Sequence, residues 1–218
     1  MKKFIFAAVA AAIVPFAAVA QPAQPEADYQ FTVVKENPIT PVKNQYRSST
    51  CWCFSTLGFL ESETIRIKNI KDTTLYPDFS EMFVVSHSYK DRAVKYVRTD
   101  GNINFAAGSD QERWVGKTGE NKAEAAAALP KEASVTQESR QEGFDNKTTT
   151  DDHGMQIFGL AKDQNGTNYF MIKNSWGTTS KYRGIWYCSD SFLRSKTIDV
   201  VVHKDALSKD LKKKLGIK

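Results

Sequence analysis

The sequence predicts an α+β fold in which a helical N-terminal part packs against an antiparallel, β-rich C-terminal part. The first half carries apolar residues at helical spacing after Cys51 and a second helical segment near Ser80. After Thr150 the pattern changes to short apolar runs, two of which flank the turn signal Asn165-Gly166. With 218 residues, the chain can form one or two compact domains.

The first twenty residues, MKKFIFAAVAAAIVPFAAVA, have the form of a secretory signal peptide. Two lysines precede an apolar run that ends in the small-x-small site Ala18-Val19-Ala20. A transmembrane anchor is the alternative, but the run is short and Pro15 interrupts it. We therefore expect an exported protein, periplasmic or secreted, with no stable membrane anchor once residues 1–20 are removed. Residues 21–30 are rich in Pro, Gln and Ala and predict a flexible lead-in.

Residues 31–108 form the predicted helical part. A strand-like run, Phe31–Val34, comes first, and Ser48, Ser49 and Thr50 can cap a helix that begins at Cys51. Residues 109–150 are small and polar and predict an irregular junction.

Residues 151–218 form the predicted β-rich part with a C-terminal tail. Strands are predicted at Met155–Ala161, Tyr169–Ile172, Gly184–Tyr187 and Ile198–Val202. The tail, KDLKKKLGIK, has the form of a solvated basic helix. The net charge of +5 is too mild to indicate a nucleic-acid partner.

The three cysteines, Cys51, Cys53 and Cys188, leave at least one thiol outside any intramolecular disulfide. A thiol is a nucleophile as the thiolate, which a helix N-terminus and a neighbouring imidazolium both favour. Cys51 lies at such a helix start, so it is the candidate nucleophile. Cys53 and Cys188 are expected to be small buried residues.

Among the three histidines, His153 is the candidate partner of the thiol. His87 falls within a helical segment and His203 at the end of a predicted strand, whereas His153 opens a strand. Asn174 ends the strand that returns from the turn, and by parity it shares a sheet face with His153. A tight turn at Asn165-Gly166 would leave the two too far apart, so contact needs a wider loop or a shifted register.

Two further residues complete the candidate site. Gln45 precedes Cys51 by six residues, and its amide could join the backbone N–H of Cys51 in holding an oxyanion. Trp176 could shield a His–Asn hydrogen bond from water.

These residues, in this order, resemble the papain-like cysteine peptidases, and the flanking sequence resembles the aminopeptidase C / bleomycin hydrolase branch. The resemblance is carried by PVKNQYRSSTCWCFSTLGFLESE, SEMFVV, GSDQERWVG, DDHGMQIFGLAKDQNGTNYFMIKNSWG and the terminal KKLGIK. It implies that Cys51 is the nucleophile, His153 the general base and acid, Asn174 the orienting group and Gln45 the oxyanion donor.

The resemblance also implies a thiol-dependent aminopeptidase that needs no cofactor or metal. Its substrate would be a peptide with a free amino terminus, and a homo-oligomer is a candidate assembly. In this branch the C-terminus reaches into the cleft, which would bring Ile217 and Lys218 near Cys51. Gly108 could bind the substrate backbone.

The spacing departs from the family. His153 follows Cys51 by 102 residues and Asn174 by 123, whereas papain-like enzymes usually have about 130–150. The chain therefore resembles a family member shortened near Gly108-Ser109. Two alternatives to the active peptidase follow: a catalytically silent remnant that binds peptides or a partner, and a shortened product without a stable fold.

Overall fold

A computed structural model describes residues 29–101 and 134–217. The predicted signal peptide, most of the lead-in, Gly108 with the predicted join, and Lys218 lie outside the described residues.

The described chain contains four strands, five α-helices and two one-turn 3-10 helices. The strands are β1 (Thr32–Glu36), β2 (Gln156–Lys162), β3 (Asn168–Lys173) and β4 (Ile185–Ser189). The helices are α1 (Cys51–Lys68), α2 (Glu81–Arg98), α3 (Gln137–Asp145), α4 (Asp190–Lys196) and α5 (Lys209–Leu215), with 3-10 turns at Thr73–Leu75 and Lys204–Ala206. The predicted α+β fold, with helices before an antiparallel sheet, is confirmed.

The sheet has the order β1-β2-β3-β4, and each neighbouring pair is antiparallel. The β2–β3 loop spans residues 163–167 and is therefore wider than a two-residue turn. Buried Asp163 closes it by accepting hydrogen bonds from the backbone N–H groups of Asn165 and Thr167, at 2.9 and 2.8 Å. Gly166 adopts the left-handed φ of +83° that the predicted turn signal indicates.

Helix α1 begins at Cys51 as predicted, but the predicted cap is wrong. Thr50 occupies the cap position, and its side chain makes no capping hydrogen bond. Its hydroxyl lies 2.5 Å from that of Ser48, so these two side chains bond to each other rather than to the helix. At α2 the predicted start is found, and the Ser80 hydroxyl accepts from the N–H of Phe83.

Three expectations for the second half of the chain differ from the structure. Ile198–Val202 forms no strand, and its residues are all exposed. His203 ends no strand, because its ring accepts from the N–H of Asp205 and starts a 3-10 turn. The region predicted as an irregular junction contains α3, which a capping box at Thr136 and Ser139 stabilises.

The described core consists of two small clusters, one in each part of the fold. The helical cluster contains Cys53, Leu57 and Val85. The sheet cluster contains Phe158, Ala161 and Met171, against which Phe31, Ile39, Ile185 and Tyr187 pack. Among the described helices, none has both the length and the apolar content needed to cross a membrane.

A buried charged network joins α1 to the segment that precedes it. Glu61 of α1 is 1% exposed and accepts hydrogen bonds from the Thr40 hydroxyl and, at 2.8 Å, from the N–H of Phe79. The Lys43 ammonium lies 3.7 Å from the Glu61 carboxylate and bonds to Glu81 at 2.6 Å. This network fixes the start of the segment that leads to Gln45.

Candidate active site

Cys51 lies at the first position of α1 and is 4% exposed. The first backbone N–H groups of a helix have no acceptor within that helix, and they carry the positive end of its dipole. The loop before Cys51 is irregular, with left-handed φ values of +51° at Tyr46 and +54° at Ser49. The chain therefore turns sharply into the helix and leaves Cys51 at its N-terminus.

His153 and Asn174 form a direct hydrogen bond. Nε2 of His153 lies 2.8 Å from Oδ1 of Asn174. The same Oδ1 accepts from the backbone N–H of Ser175 at 2.8 Å. A backbone N–H can only donate, so this Asn174 atom is the oxygen, and Nε2 of His153 must carry the proton. Proton exchange with a thiol would then use Nδ1, which is buried.

The strand register brings these two residues together. Gln156 pairs with Lys173 and Lys162 with Asn168, and a bulge lies between Ile157 and Gly159. The five-residue loop and this bulge together shift the pairing by two residues from that of a tight turn. This is the wider loop and shifted register that the sequence requires for contact.

The segment that contains His153 packs on the first turn of α1. A Cβ atom placed on Gly154 would lie 2.9 Å from the Ser55 hydroxyl and 3.7 Å from the Cys51 carbonyl oxygen. Only a residue without a side chain allows this approach. His153 therefore adjoins the helix start that carries Cys51.

Trp176 lies against His153, with ring centroids 4.9 Å apart and an interplanar angle of 32°. The edge of Trp186 supports it in a T-shaped contact at 5.3 Å. In this position Trp176 covers the imidazole beside its hydrogen bond to Asn174. Its predicted shielding role stays a prediction.

Gln45 is buried and held by Ser175, a residue that sequence reasoning missed. The Gln45 N–H donates to the Ser175 carbonyl oxygen at 2.8 Å, and the Ser175 hydroxyl lies 2.5 Å from Gln45 Oε1. Among the described residues, no acceptor bonds to Gln45 Nε2. An amide N–H without an acceptor, six residues before the thiol, suits the predicted oxyanion donor. Only the position of Ser175 beside Asn174 could have drawn attention to it.

The other two thiols are buried. Burial, with a smaller contribution from the charge of Glu81, raises the pKa of Cys53 to about 11. Burial alone raises the pKa of Cys188 to about 12. Both therefore remain protonated at neutral pH, and a protonated thiol is a poor nucleophile.

The 3-10 turn at Lys204–Ala206 and helix α5 make their described contacts toward the end of α1 that lies far from Cys51. The charges of His203 and Asp205 act on Glu63, and Lys212 of α5 lies 3.5 Å from Asp205. Glu63 is twelve residues beyond Cys51, about 18 Å along the helix. The N–H of Ile217 donates to the Lys212 carbonyl oxygen, which folds the chain end back onto α5.

A cysteine at a helix start, beside a histidine held by an asparagine, is the arrangement of the papain-like cysteine peptidases. Residues 86–217, more than half of the chain, match the Peptidase C1-like family. The chain belongs to that family. The matched residues include His153, Asn174 and Trp176, whereas Gln45 and Cys51 precede them.

The curated relatives of this chain include cathepsins and aminopeptidases. Cathepsin L1 of Drosophila melanogaster is 28% identical over 183 residues, which cover 65% of this chain and 48% of that protein. Cathepsin L of Sarcophaga peregrina is 27% identical over 183 residues, covering 65% of this chain and 52% of that protein. Aminopeptidase C of Listeria innocua is 34% identical over 73 residues, or 34% of this chain and 17% of that protein. The chain thus spans about half the length of the two cathepsins and 17% of the length of the aminopeptidase.

Proposed function

We propose that this chain is a thiol-dependent aminopeptidase that uses Cys51 as its nucleophile. The observation that carries the proposal is the 2.8 Å hydrogen bond between His153 and Asn174, next to the first turn of α1. A histidine oriented in this way leaves Nδ1 as the atom for proton exchange with the thiol. Family membership supports the peptidase, and the similarity to Aminopeptidase C supports the finer assignment.

In the proposed acylation step, Nδ1 of His153 takes the proton of the Cys51 thiol. The thiolate then attacks the carbonyl carbon of the scissile peptide bond, and the carbonyl π electrons move to oxygen. The N–H of Cys51 and Nε2 of Gln45 donate hydrogen bonds to this oxyanion. When the oxyanion collapses, His153 gives its proton to the departing amine and a thioester remains.

In the proposed deacylation step, His153 acts as a base toward water. The hydroxide equivalent attacks the thioester carbonyl, and the proton passes through His153 to the departing Cys51 sulfur. The carboxylic acid product leaves and the free thiol returns. Asn174 holds the imidazole through Nε2 in both steps, while Trp176 limits access of water to that hydrogen bond.

Removal of the amino-terminal residue requires a group that recognises the free amine and blocks longer substrates. By resemblance, this group is the chain's own C-terminal carboxylate. The described part of the tail ends on α5, whose contacts lie toward the far end of α1. Tail-dependent selectivity is therefore the finer part of the proposal and needs its own test.

We also propose that the protein acts outside the cytoplasm, after cleavage at the predicted signal peptide.

The nucleophile can be tested with an epoxysuccinyl thiol-protease inhibitor, with labelled sites read by peptide mass spectrometry. We expect native protein to be labelled at Cys51, and denatured protein to lose that labelling. Cys51→Ala should abolish both labelling and peptide hydrolysis. Cys53→Ala is the matched control two residues away, and it should retain most of the activity.

If native Cys51 is not labelled while the protein remains folded, the chain is instead the catalytically silent remnant, which acts at most as a peptide- or partner-binding protein. If Cys53→Ala abolishes activity and Cys51→Ala does not, the nucleophile is wrongly assigned. Activity that survives thiol blocking would contradict the mechanism altogether.

The aminopeptidase assignment can be tested by deleting Leu215–Lys218. Full-length protein should prefer an aminoacyl substrate with a free amine over its N-acetylated counterpart. The truncated chain should lose this preference and cleave internal bonds. A selectivity ratio that does not change on truncation would contradict tail recognition and leave the peptidase itself intact.

A further inference from the structure

A cavity of about 680 Å³ lies beside the sheet cluster, and none of the proposed active-site residues lines it. Its walls come from the end of β1 and the residues that follow it, from the turn that leads into β4, and from β4 itself. Three of the lining residues are Tyr76, Tyr182 and Tyr187, so we call it the tyrosine cavity. Sites that bind small molecules have volumes of roughly 300–1,000 Å³. The tyrosine cavity is therefore large enough for such a ligand.

The sheet curls around the tyrosine cavity until its two edge strands meet. Phe31 of β1 stacks on Tyr187 of β4, with ring centroids 3.8 Å apart and an interplanar angle of 3°. Phe158 of β2 and Met171 of β3 also line the cavity, and they are only 6% and 4% exposed. The deepest part of the lining is thus apolar, which suits an apolar side chain of a ligand.

Opposite charges line the tyrosine cavity from two different elements. Glu36 ends β1, whereas Lys181 and Arg183 lie in the turn before β4. Glu36 and Arg183 are exposed, and neither side chain forms an ion pair or hydrogen bond within the described part of the chain. Burial, Tyr182 and the charge of Glu36, in that order, raise the pKa of Tyr187, so the Glu36 carboxylate acts on the cavity wall. An acid and a cation are therefore both available to a ligand.

Two tyrosine hydroxyls add hydrogen-bonding groups to the tyrosine cavity. Tyr76 and Tyr187 are half-buried, and neither hydroxyl bonds to another group of the described residues. The hydroxyl of Tyr182, in contrast, donates to the Tyr29 carbonyl oxygen at 3.5 Å. Because its pKa is raised, the Tyr187 hydroxyl stays protonated at neutral pH and can both donate and accept. Such hydroxyls can bond to the N–H and C=O groups of a peptide.

We propose that the tyrosine cavity binds an unmodified dipeptide that carries an apolar side chain. The Arg183 guanidinium would pair with the carboxylate of the dipeptide, to which it can donate two parallel hydrogen bonds. Glu36 would pair with the ammonium group, and the apolar lining would receive the side chain. The inference goes beyond the proposed peptidase activity and does not depend on it.

The separation of the charges distinguishes a dipeptide from a free amino acid. A free amino acid carries its ammonium and carboxylate groups on one carbon atom. An extended dipeptide places them at opposite ends of a chain of roughly 7 Å. Because Glu36 and Arg183 belong to different elements, the dipeptide is the better match.

Isothermal titration calorimetry with leucyl-phenylalanine tests the proposal. The full chain would carry Cys51→Ala, so that the proposed peptidase cannot hydrolyse the probe. We expect saturable binding that weakens at least about tenfold when Glu36→Gln or Arg183→Gln is added, because each removes a charged hydrogen-bond partner. N-acetylation of the probe should weaken binding only while Glu36 is present, and amidation of its carboxylate only while Arg183 is present.

The matched control is Lys35→Gln, which removes an exposed charge next to Glu36 from a residue that does not line the cavity. It should leave the dissociation constant of the probe unchanged. A protein that does not bind leucyl-phenylalanine would overturn the proposal. Binding that withstands both Glu36→Gln and Arg183→Gln would place the probe elsewhere, the active site included, and also overturn it. Equal affinity for free phenylalanine would show that the separation of the charges is not recognised, which contradicts the dipeptide assignment.

Discussion

Gly58 lies in the middle of α1, where a glycine is less favourable than alanine by about 1 kcal/mol. Glycine stands at this position because Gln156 of β2 packs against it. The Oε1 atom of Gln156 would lie 2.8 Å from a Cβ added at position 58. Gln156 is 5% exposed, so its amide has little room to move away. The missing side chain therefore lets the helix that begins at Cys51 approach the strand that follows His153.

Gly58→Ala should for this reason affect stability differently in the parent chain and in a chain that carries Gln156→Ala. In the parent chain we expect no gain or a loss of stability, because the clash offsets the helix propensity. With Gln156→Ala present, the same change should stabilise the fold by up to about 1 kcal/mol. Urea unfolding of the four proteins in the cycle measures the coupling. Equal effects of Gly58→Ala in both backgrounds would show that the two side chains do not compete for space.

At the scale of elements, the charged network around Glu61 fixes α1 against the segment that leads to the site. Asp78 is its exposed end, at 79%, Lys43 is partly buried at 26%, and Glu61 is its fully buried member. Burial would lower the pKa of Lys43, but hydrogen bonds to Asp78 and Glu81 outweigh it and raise that pKa. The Lys43 carbonyl oxygen also accepts from the N–H of Gly177, close to Asn174 and Trp176. One network thus contacts both the segment that leads to Gln45 and the segment that contains Asn174 and Trp176.

Glu61→Ala should destabilise the protein by about 1–3 kcal/mol for each buried hydrogen-bond donor that it leaves without an acceptor. The free energy of unfolding in urea measures this. Glu63→Ala is the control on the same helix, since Glu63 pairs with Arg66, whose side chain is 41% exposed, and ion pairs with an exposed partner contribute less than a buried network. Similar losses of unfolding free energy for both variants would mean that the burial of Glu61 does not determine how much it contributes to stability.

At the scale of the whole molecule, stability at high pH depends on two buried thiols that lie in different parts of the fold. Cys53 belongs to the helical cluster and Cys188 to β4. Burial comes first among the causes that raise both pKa values, from an ordinary value of 9.0 to about 11 and about 12. The folded state thus binds these protons more tightly than the unfolded chain does.

We therefore expect the stability contributed by the protonated thiols to be complete below pH 9. It should decrease as the pH rises from about 9 toward 11 and 12, because the unfolded chain releases its thiol protons first. Urea unfolding at several pH values should show this decline. Cys188→Ala should lower stability at neutral pH but flatten the decline above pH 9. An identical pH slope in parent and variant would contradict the assignment.

The sequence by itself determined the class of fold, and it selected the residues of the candidate site. Periodicity predicted α1, α2 and the β2–β3 hairpin, with boundaries close to those of the structure, because each has a strong local pattern. The order of Gln45, Cys51, His153 and Asn174 carried the family resemblance, which the family match supports. Local propensity was insufficient at Ile198–Val202, because a strand also needs a neighbour to pair with.

Tertiary structure alone decided which of these residues meet and how they are oriented. The bulge and five-residue loop that bring His153 to Asn174 depend on pairing between β2 and β3. The alternation of side chains along a strand limits the possible registers of this pair but does not select one of them. The role of Ser175 depends on contact between residues 130 positions apart. Such contacts follow from packing across the whole chain, whereas sequence patterns report mainly on neighbours a few residues away.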